Sequence, residues 1–430
     1  MTLRRARGVM LAVPASLYFV SVFHRVAPAV VAGDLMRAFA IGAASLGNLA
    51  AIYPYVFAAM GLVAGSLADT LGPRWTMALG GATMGLGAGL FGVAPTFAVA
   101  VGGRLLVGVG ASVILVAWLS LAAEWFRPGE FGMVSGFTQA VGNTGALVAS
   151  SPLALLVEAT GWRSAFVLIG GVTVALALLA GALVRDRPAA LGLPPVNPEA
   201  AARRMPGLAE TLRGIGGVVR NPRTWPPVLA AGGVYMGLIT FMGLWGIPYL
   251  MHVHGLHRVE AATLVALAPL GLAVGSPLVG WLSDRWLGRR RPPMIVFTLL
   301  FAASWAPLLL PPEQRPSPAT LAPFVFLLGL TSSGIVLVWP IVREVNDPAR
   351  VGIAVGFVNM PIFLGFAVMQ WLSGVVLDAY WAGLASAGAR VYPPEAYHAI
   401  FVLCASIAAG ALVASWFVTE TRCRSVWIHD

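Results

Sequence analysis

Two short segments carry the same arrangement of an acid, glycines and an arginine. The first holds Gly65, Asp69, Gly72 and Arg74, and the second holds Gly280, Asp284, Gly288 and Arg290. Asp69 and Asp284 stand 215 positions apart in a chain of 430 residues, half its length. A carboxylate beside a helix end and an arginine caps free backbone donors, and it makes an ion pair whose opening and closing can work a gate. Glu124 and Glu344 extend the pattern. Asp69, Arg74 and Glu124 read as one cluster, and Asp284, Arg290 and Glu344 as its copy.

A second set of chemical groups lies inside long apolar runs. A charge at such a place costs about 3 kcal/mol or more unless it is paired or faces water, so Arg25 and Arg104 call for a function. Arg25, next to His24 and just before Pro28, can clasp a carboxylate or phosphate bidentately. The plainer reading is a cation reaching for headgroups or pairing with Glu158, and the depth of Arg25 favours the clasp. Arg104 reads equally as a coupling residue or as a brace between two helices. His24, one position from Arg25, points about 100° away on a helix, so both cannot face one spot. It can accept a proton near neutral pH or simply pack helices. Tyr18, Tyr53, Gln139, Asn143, Trp245, Asn359 and Gln370 complete the candidate substrate set, with Tyr55 and Tyr235 beside them. With two buried arginines and no acid in mid-run, the set prefers anions.

The elements that position these groups are transmembrane helices. The chain is 58% hydrophobic and 10% charged, with mean hydropathy +0.84, more apolar surface than one soluble core can hide. Apolar runs long enough to cross a bilayer recur at 9–32, 46–68, 75–94, 97–123, 131–157, 163–184, 225–251, 259–283, 292–311, 318–342, 351–377 and 396–418. The spacing predicts an all-α integral membrane protein of twelve spans in two pseudo-symmetric six-helix bundles, 1–184 and 225–430. The 185–224 linker between them is basic and partly helical around Ala209 to Val219, and a short tail closes the chain.

The net charge of +10 is an orientation signal rather than a nucleic-acid footprint. With both termini cytoplasmic, the arginine clusters around Arg4, Arg74, Arg185, Arg289 and Arg422 lie inside, and Arg37, Arg163, Arg258, Arg315 and Arg390 lie outside. The chain has no lysine, so Gly80 to Gly89 is a helix-packing face and not a phosphate loop. Cys404 and Cys423 make no metal framework, and His252, His254 and His257 read as a wet loop rather than a zinc site. No catalytic constellation appears, so neither an enzyme, a cofactor nor a metal is expected.

Internal duplication supports the halves. Besides Asp69 with Asp284, a shift of 220 pairs Glu124 with Glu344, Gln139 with Asn359, Gly145 with Gly365 and Glu158 with Asp378. Repeated six-helix units are the plan of alternating-access carriers. The two glycine-acid-glycine-arginine loops, Arg104 to Gly110 in span 4, and Gly161-Trp162-Arg163 resemble the signatures of the major facilitator superfamily. Arg25 to Pro28 and the stretch 346–361 are similar to a branch of bacterial uptake carriers. The resemblance implies that fold, rocking of two halves about a central site, and a role for Arg104 in coupling. Thr70 replaces a usual basic residue, an extra residue precedes Gly288, and span 5 lacks the glycine-proline run of drug antiporters. The expectation is a secondary active transporter of the bacterial plasma membrane. It works as a monomer and takes up a small organic anion with protons. The alternatives are proton-antiport export of a hydrophobic or zwitterionic compound, and a transport-like membrane sensor or permease subunit.

Overall fold

The computed structural model describes residues 3–127, 130–196, 208–310, 314, 317–348, 351–386 and 388–427. Arg203, Arg204, Arg315, Arg350 and the side chain of Asp69 lie outside that description. Twelve helices are long and apolar enough to span a membrane: Leu3–Ala29, Ala43–Gly61, Thr70–Val93, Phe97–Trp125, Gly136–Thr160 and Trp162–Leu183, then Pro222–His254, Arg258–Leu287, Arg291–Leu309, Ala319–Val345, Val351–Ala379 and Pro394–Trp416. They are numbered here as spans 1 to 12. Each coincides with a predicted run, with ends that differ by at most seven residues, the largest difference being the end of span 2 at Gly61. Between spans 6 and 7 a helix covers Leu208–Arg220, where the linker was expected to be helical.

Several spans depart from regular α-helix where their sequences require it. Pro28 ends the α-helical part of span 1 and passes it into a 3₁₀ turn at Ala27–Ala29. Span 7 carries a π-helical segment at Phe241–Trp245, and span 10 a 3₁₀ segment at Ser333–Leu337. Spans 2 and 3 run into one another, broken at Gly72, whose φ of 80° and ψ of 154° suit only glycine.

The chain forms two compact units. One comprises Met1–Arg25 and Tyr55–Leu208, and the other Val26–Pro54 and Ala209–Asp430. The chain passes from one to the other three times, in span 1 between Arg25 and Val26, in span 2 between Pro54 and Tyr55, and at the start of the linker helix between Leu208 and Ala209. In the first unit Phe91 packs on Phe166 and Trp162, with ring centroids 4.9 and 5.8 Å apart. In the second, Val338, Ile341, Val342, Val345 and Val358 are wholly buried in one aliphatic cluster. Large apolar side chains also face outward: Leu86 is 63% and Leu178 68% exposed. A surface of that kind suits lipid and not water.

A candidate carrier site and its gate clusters

The loop after span 8 is a closed ion network. Arg290 is buried, and its Nη2 donates to Glu344 Oε1 at 2.9 Å and its Nε to the same carboxylate at 3.2 Å. Its Nη1 donates to Ser283 Oγ at 3.0 Å and also binds the Asp284 carboxylate. Burial opposes the Arg290 charge, but the hydrogen bonds to Glu344 and Asp284 outweigh it and raise the guanidinium pKa. Glu420, just past span 12, accepts the backbone N–H of Arg290 at 3.0 Å and of Arg291 at 3.2 Å. Thr421 donates to Glu344, and the Val426 N–H donates to the Glu344 carbonyl at 2.8 Å. The predicted trio Asp284, Arg290 and Glu344 is therefore brought together, and the tail is laced onto it.

The loop after span 2 is wired otherwise. The Arg74 Nε donates to the Gly181 carbonyl at 2.7 Å, and its backbone N–H to Asp186 Oδ1 at 2.7 Å. The guanidinium also stacks 4.9 Å from the centroid of the Trp75 ring. Glu124 pairs instead with Arg187, at 3.9 Å. A Cβ on Gly72 would sit 2.8 Å from Asp186 Oδ2, so the glycine both turns the chain and makes room for that carboxylate. Asp186 and Glu420 were missed in the sequence. The available signal is an acid two residues after a valine that follows the last span of each half, at Val184 and Val418.

Arg104 lies inside the first unit with only 2% of its surface exposed. Its Nη1 donates to the His24 carbonyl at 2.6 Å and its Nη2 to the Arg25 carbonyl at 3.3 Å. His24 is fully buried, with Nε2 3.4 Å from Thr173 Oγ1. The Thr173 hydroxyl donates to the Ile169 carbonyl at 2.7 Å, so the ring N–H of His24 is at Nε2 and its Nδ1 has no partner. Arg25 lies with its guanidinium 5.9 Å from the Phe57 ring centroid. His24 and Arg25 thus address different neighbours, as adjacent helical positions must.

Tyr18 is two turns before Arg25 and shares its helix face. Its ring lies 5.7 Å from that of Trp118 and closes on Gly142, next to Asn143. Asn143 is half-buried and Gln139 exposed. The second unit holds the other candidates. Trp245, at the end of the π segment, is wholly buried and donates to Ser373 Oγ at 2.7 Å. Gln370 Nε2 donates to the Ile239 carbonyl at 3.3 Å, while its buried Oε1 is unpartnered. Tyr53 is buried, and Asn359 is half-buried.

One further cluster of the second unit joins distant segments. Asp378 accepts the Ala43 N–H at 3.0 Å, the Ala44 N–H at 2.8 Å, the Tyr392 hydroxyl at 2.7 Å and Arg390 Nη1 at 3.1 Å. It caps the start of span 2 from the end of span 11. Burial and this carboxylate push the Tyr392 phenol pKa up. Arg258 pairs with Asp34 at 2.7 Å in the same unit. The three histidines after span 7 are engaged separately. His252 meets the Tyr397 hydroxyl at 2.8 Å and His254 the Tyr249 hydroxyl at 3.0 Å, and His257 caps the helix of span 8. Among the described residues no group of three or more histidine, cysteine or acidic side chains could hold a metal ion.

The family model of the Major Facilitator Superfamily matches residues 15–257 and 234–426. The chain belongs to this superfamily. As a superfamily member it is a multi-pass membrane protein and a secondary transporter. It is 27% identical to the membrane sensor protein UhpC of Escherichia coli strain K12, across 79% of each chain. It is 23% identical to a probable sulfoacetate transporter of Cupriavidus necator, over 65% of this chain and 66% of that one. A probable hexose phosphate transport protein of Chlamydia pneumoniae is 23% identical over 89% of this chain and 85% of its own. Among solved structures, an inward-facing, unoccupied bacterial homolog of the human lysosomal transporter Spinster aligns with TM-score 0.75. That alignment covers 96% of this chain and 98% of that one at 18% identity. A variant of the nucleoside transporter NupG aligns at 0.72 over 95% and 99% with 13% identity. This superfamily member therefore has the twelve-span fold that its sequence implied.

Proposed function

We propose that this transporter takes up a small organic anion by alternating access, coupled to protons. It sits in a bacterial plasma membrane with both termini cytoplasmic. The observation that carries the reading is Arg25, a guanidinium within a transmembrane span whose sequence offers no acid at mid-depth. The relatives named for sulfoacetate and hexose phosphate, both anions, point the same way. Tyr18, on the same face of span 1, and Asn143 supply uncharged partners for an oxyanion. A histidine or an end-of-span acid that shares a proton with Arg25 and the substrate supplies the coupling. Arg74, Arg290 and their carboxylates are the gates at the ends of the two halves, 1–184 and 225–430.

Thermal stabilisation of the purified protein by glucose 6-phosphate, sulfoacetate, inorganic phosphate and a panel of organic cations tests the substrate class. A ligand at a hundred times its Kd adds about 2.7 kcal/mol to the native state. Stabilisation by anions that Arg25→Gln abolishes supports the reading, and stabilisation by cations alone overturns it. Counterflow indifferent to a pH gradient would remove the proton. A sensor is the second reading, favoured by the similarity to UhpC. It predicts anion binding without counterflow in vesicles.

A further inference from the structure

In an α-helix the carbonyl of residue 24 accepts the N–H of residue 28. Residue 28 is a proline, which has no N–H to give. The next carbonyl, that of Arg25, would take the N–H of Ala29 in a continuing α-helix, but the 3₁₀ turn over Ala27–Ala29 directs that N–H to Val26. Two strong acceptors are thus released one turn before the helix ends, among buried residues where water cannot serve them. Arg104 supplies both: Nη1 to His24 at 2.6 Å and Nη2 to Arg25 at 3.3 Å. The fork of a guanidinium matches two successive carbonyls, which a lysine ammonium cannot do with the same rigidity.

We infer that Arg104 is a positioning residue for Arg25, and that it does the work of the amide Pro28 removed. It holds the last α-helical turn of span 1 to span 4 and so fixes the place from which the Arg25 guanidinium projects. The Thr173 hydroxyl beside His24 steadies the same turn from span 6. The break at Pro28 lies where the chain leaves the first compact unit, between Arg25 and Val26. The brace therefore sits where span 1 changes from α-helix to 3₁₀. The inference about Arg25 geometry rests on the anion reading above, whereas the brace itself does not.

The test is a double-mutant cycle with Arg104→Gln and Pro28→Ala in the full-length protein, reconstituted in nanodiscs. Pro28→Ala restores an N–H facing the His24 carbonyl. Two readouts are taken: amide hydrogen exchange over residues 26–34, and the half-saturating concentration of glucose 6-phosphate or sulfoacetate in thermal shift. Arg104→Gln should speed exchange there and weaken anion binding about tenfold, the loss of a charge-assisted hydrogen bond or two. Adding Pro28→Ala should recover most of both losses, and Arg104→Lys should recover part. Where Arg104→Gln fails to fold, the Arg104→Lys and Arg104→Lys/Pro28→Ala pair gives the same comparison. Additive losses with no recovery overturn the inference. So does a collapse of turnover with exchange and affinity unchanged, which would make Arg104 a coupling group. If no anion stabilises even the parent protein, the anion reading fails, and the exchange arm still decides whether Arg104 replaces the missing amide.

Discussion

The loop after span 2 and the loop after span 8 use nearly the same residues and bond them differently. In the second copy the arginine side chain faces acids: Arg290 holds Glu344, Asp284 and Ser283. In the first, the arginine side chain faces a backbone carbonyl and an indole ring, and Glu124 is left to a distant, largely exposed Arg187. What the copies share is the backbone device. In each, an acid just past the sixth span of its half accepts the arginine's own N–H: Asp186 from Arg74, Glu420 from Arg290. Repeated sequence has preserved the cap, while the matched glutamates take different partners, Arg290 for Glu344 and Arg187 for Glu124.

Substitutions at matched positions should expose that difference. The largest effect is expected for Glu344→Gln, which leaves Arg290 buried without its main counter-charge. A loss of order 3 kcal/mol should appear as a lowered unfolding midpoint of the purified protein. A drop no larger than that of the matched Glu124→Gln would erase the asymmetry. Gly72→Ala comes next. It forces a side chain into a backbone region that L-residues avoid and drives its methyl at Asp186, at a cost of about 2 kcal/mol in thermal melts. Gly288, at φ 56° with open space around it, should lose only about 1 kcal/mol on the same change.

Asp186→Asn and Glu420→Gln, which weaken the shared cap, should each cost about 1 kcal/mol and should match one another within error. Unequal losses would mean that the two caps are not the common device. Smallest is Glu124→Gln, expected to stay within about 0.5 kcal/mol because its partner is 3.9 Å away and exposed. For turnover the order differs. Neutralising Asp69 or Asp284 should slow transport in proteoliposomes while leaving anion affinity intact. Lost affinity with normal turnover would argue against a gate.

Much of this fold was legible because the membrane imposes a simple code. Twelve apolar runs became twelve helices, and even the linker helix fell where its small and charged residues placed it. The second ion cluster was legible too, since Asp284, Arg290 and Glu344 repeat a spacing that few apolar coincidences can imitate. The first cluster was only partly legible. Its acid and arginine match the copy, but nothing local reveals that Arg74 turns to Gly181 rather than to Glu124. Trp245 illustrates a different limit: a member of the candidate substrate set, it is bonded to Ser373 in a closed interior. Such choices are made by neighbours distant in sequence. For Arg104 the sequence left coupling and bracing open, although Pro28 was in view. The missing clue was the direction of its side chain.

The carboxylate that caps Ala43 and Ala44 belongs to a residue 335 positions further along the chain. During synthesis the second span therefore inserts long before its cap exists, and its first amides must wait, hydrated or paired with lipid headgroups, until span 11 arrives. Domains usually complete themselves in the order they leave the ribosome. Here the second span is finished only once span 11 has been made. A newly made first half would expose those amides to quality-control proteases, and damage to Asp378 would surface as a defect in biogenesis before any defect in carrying solute.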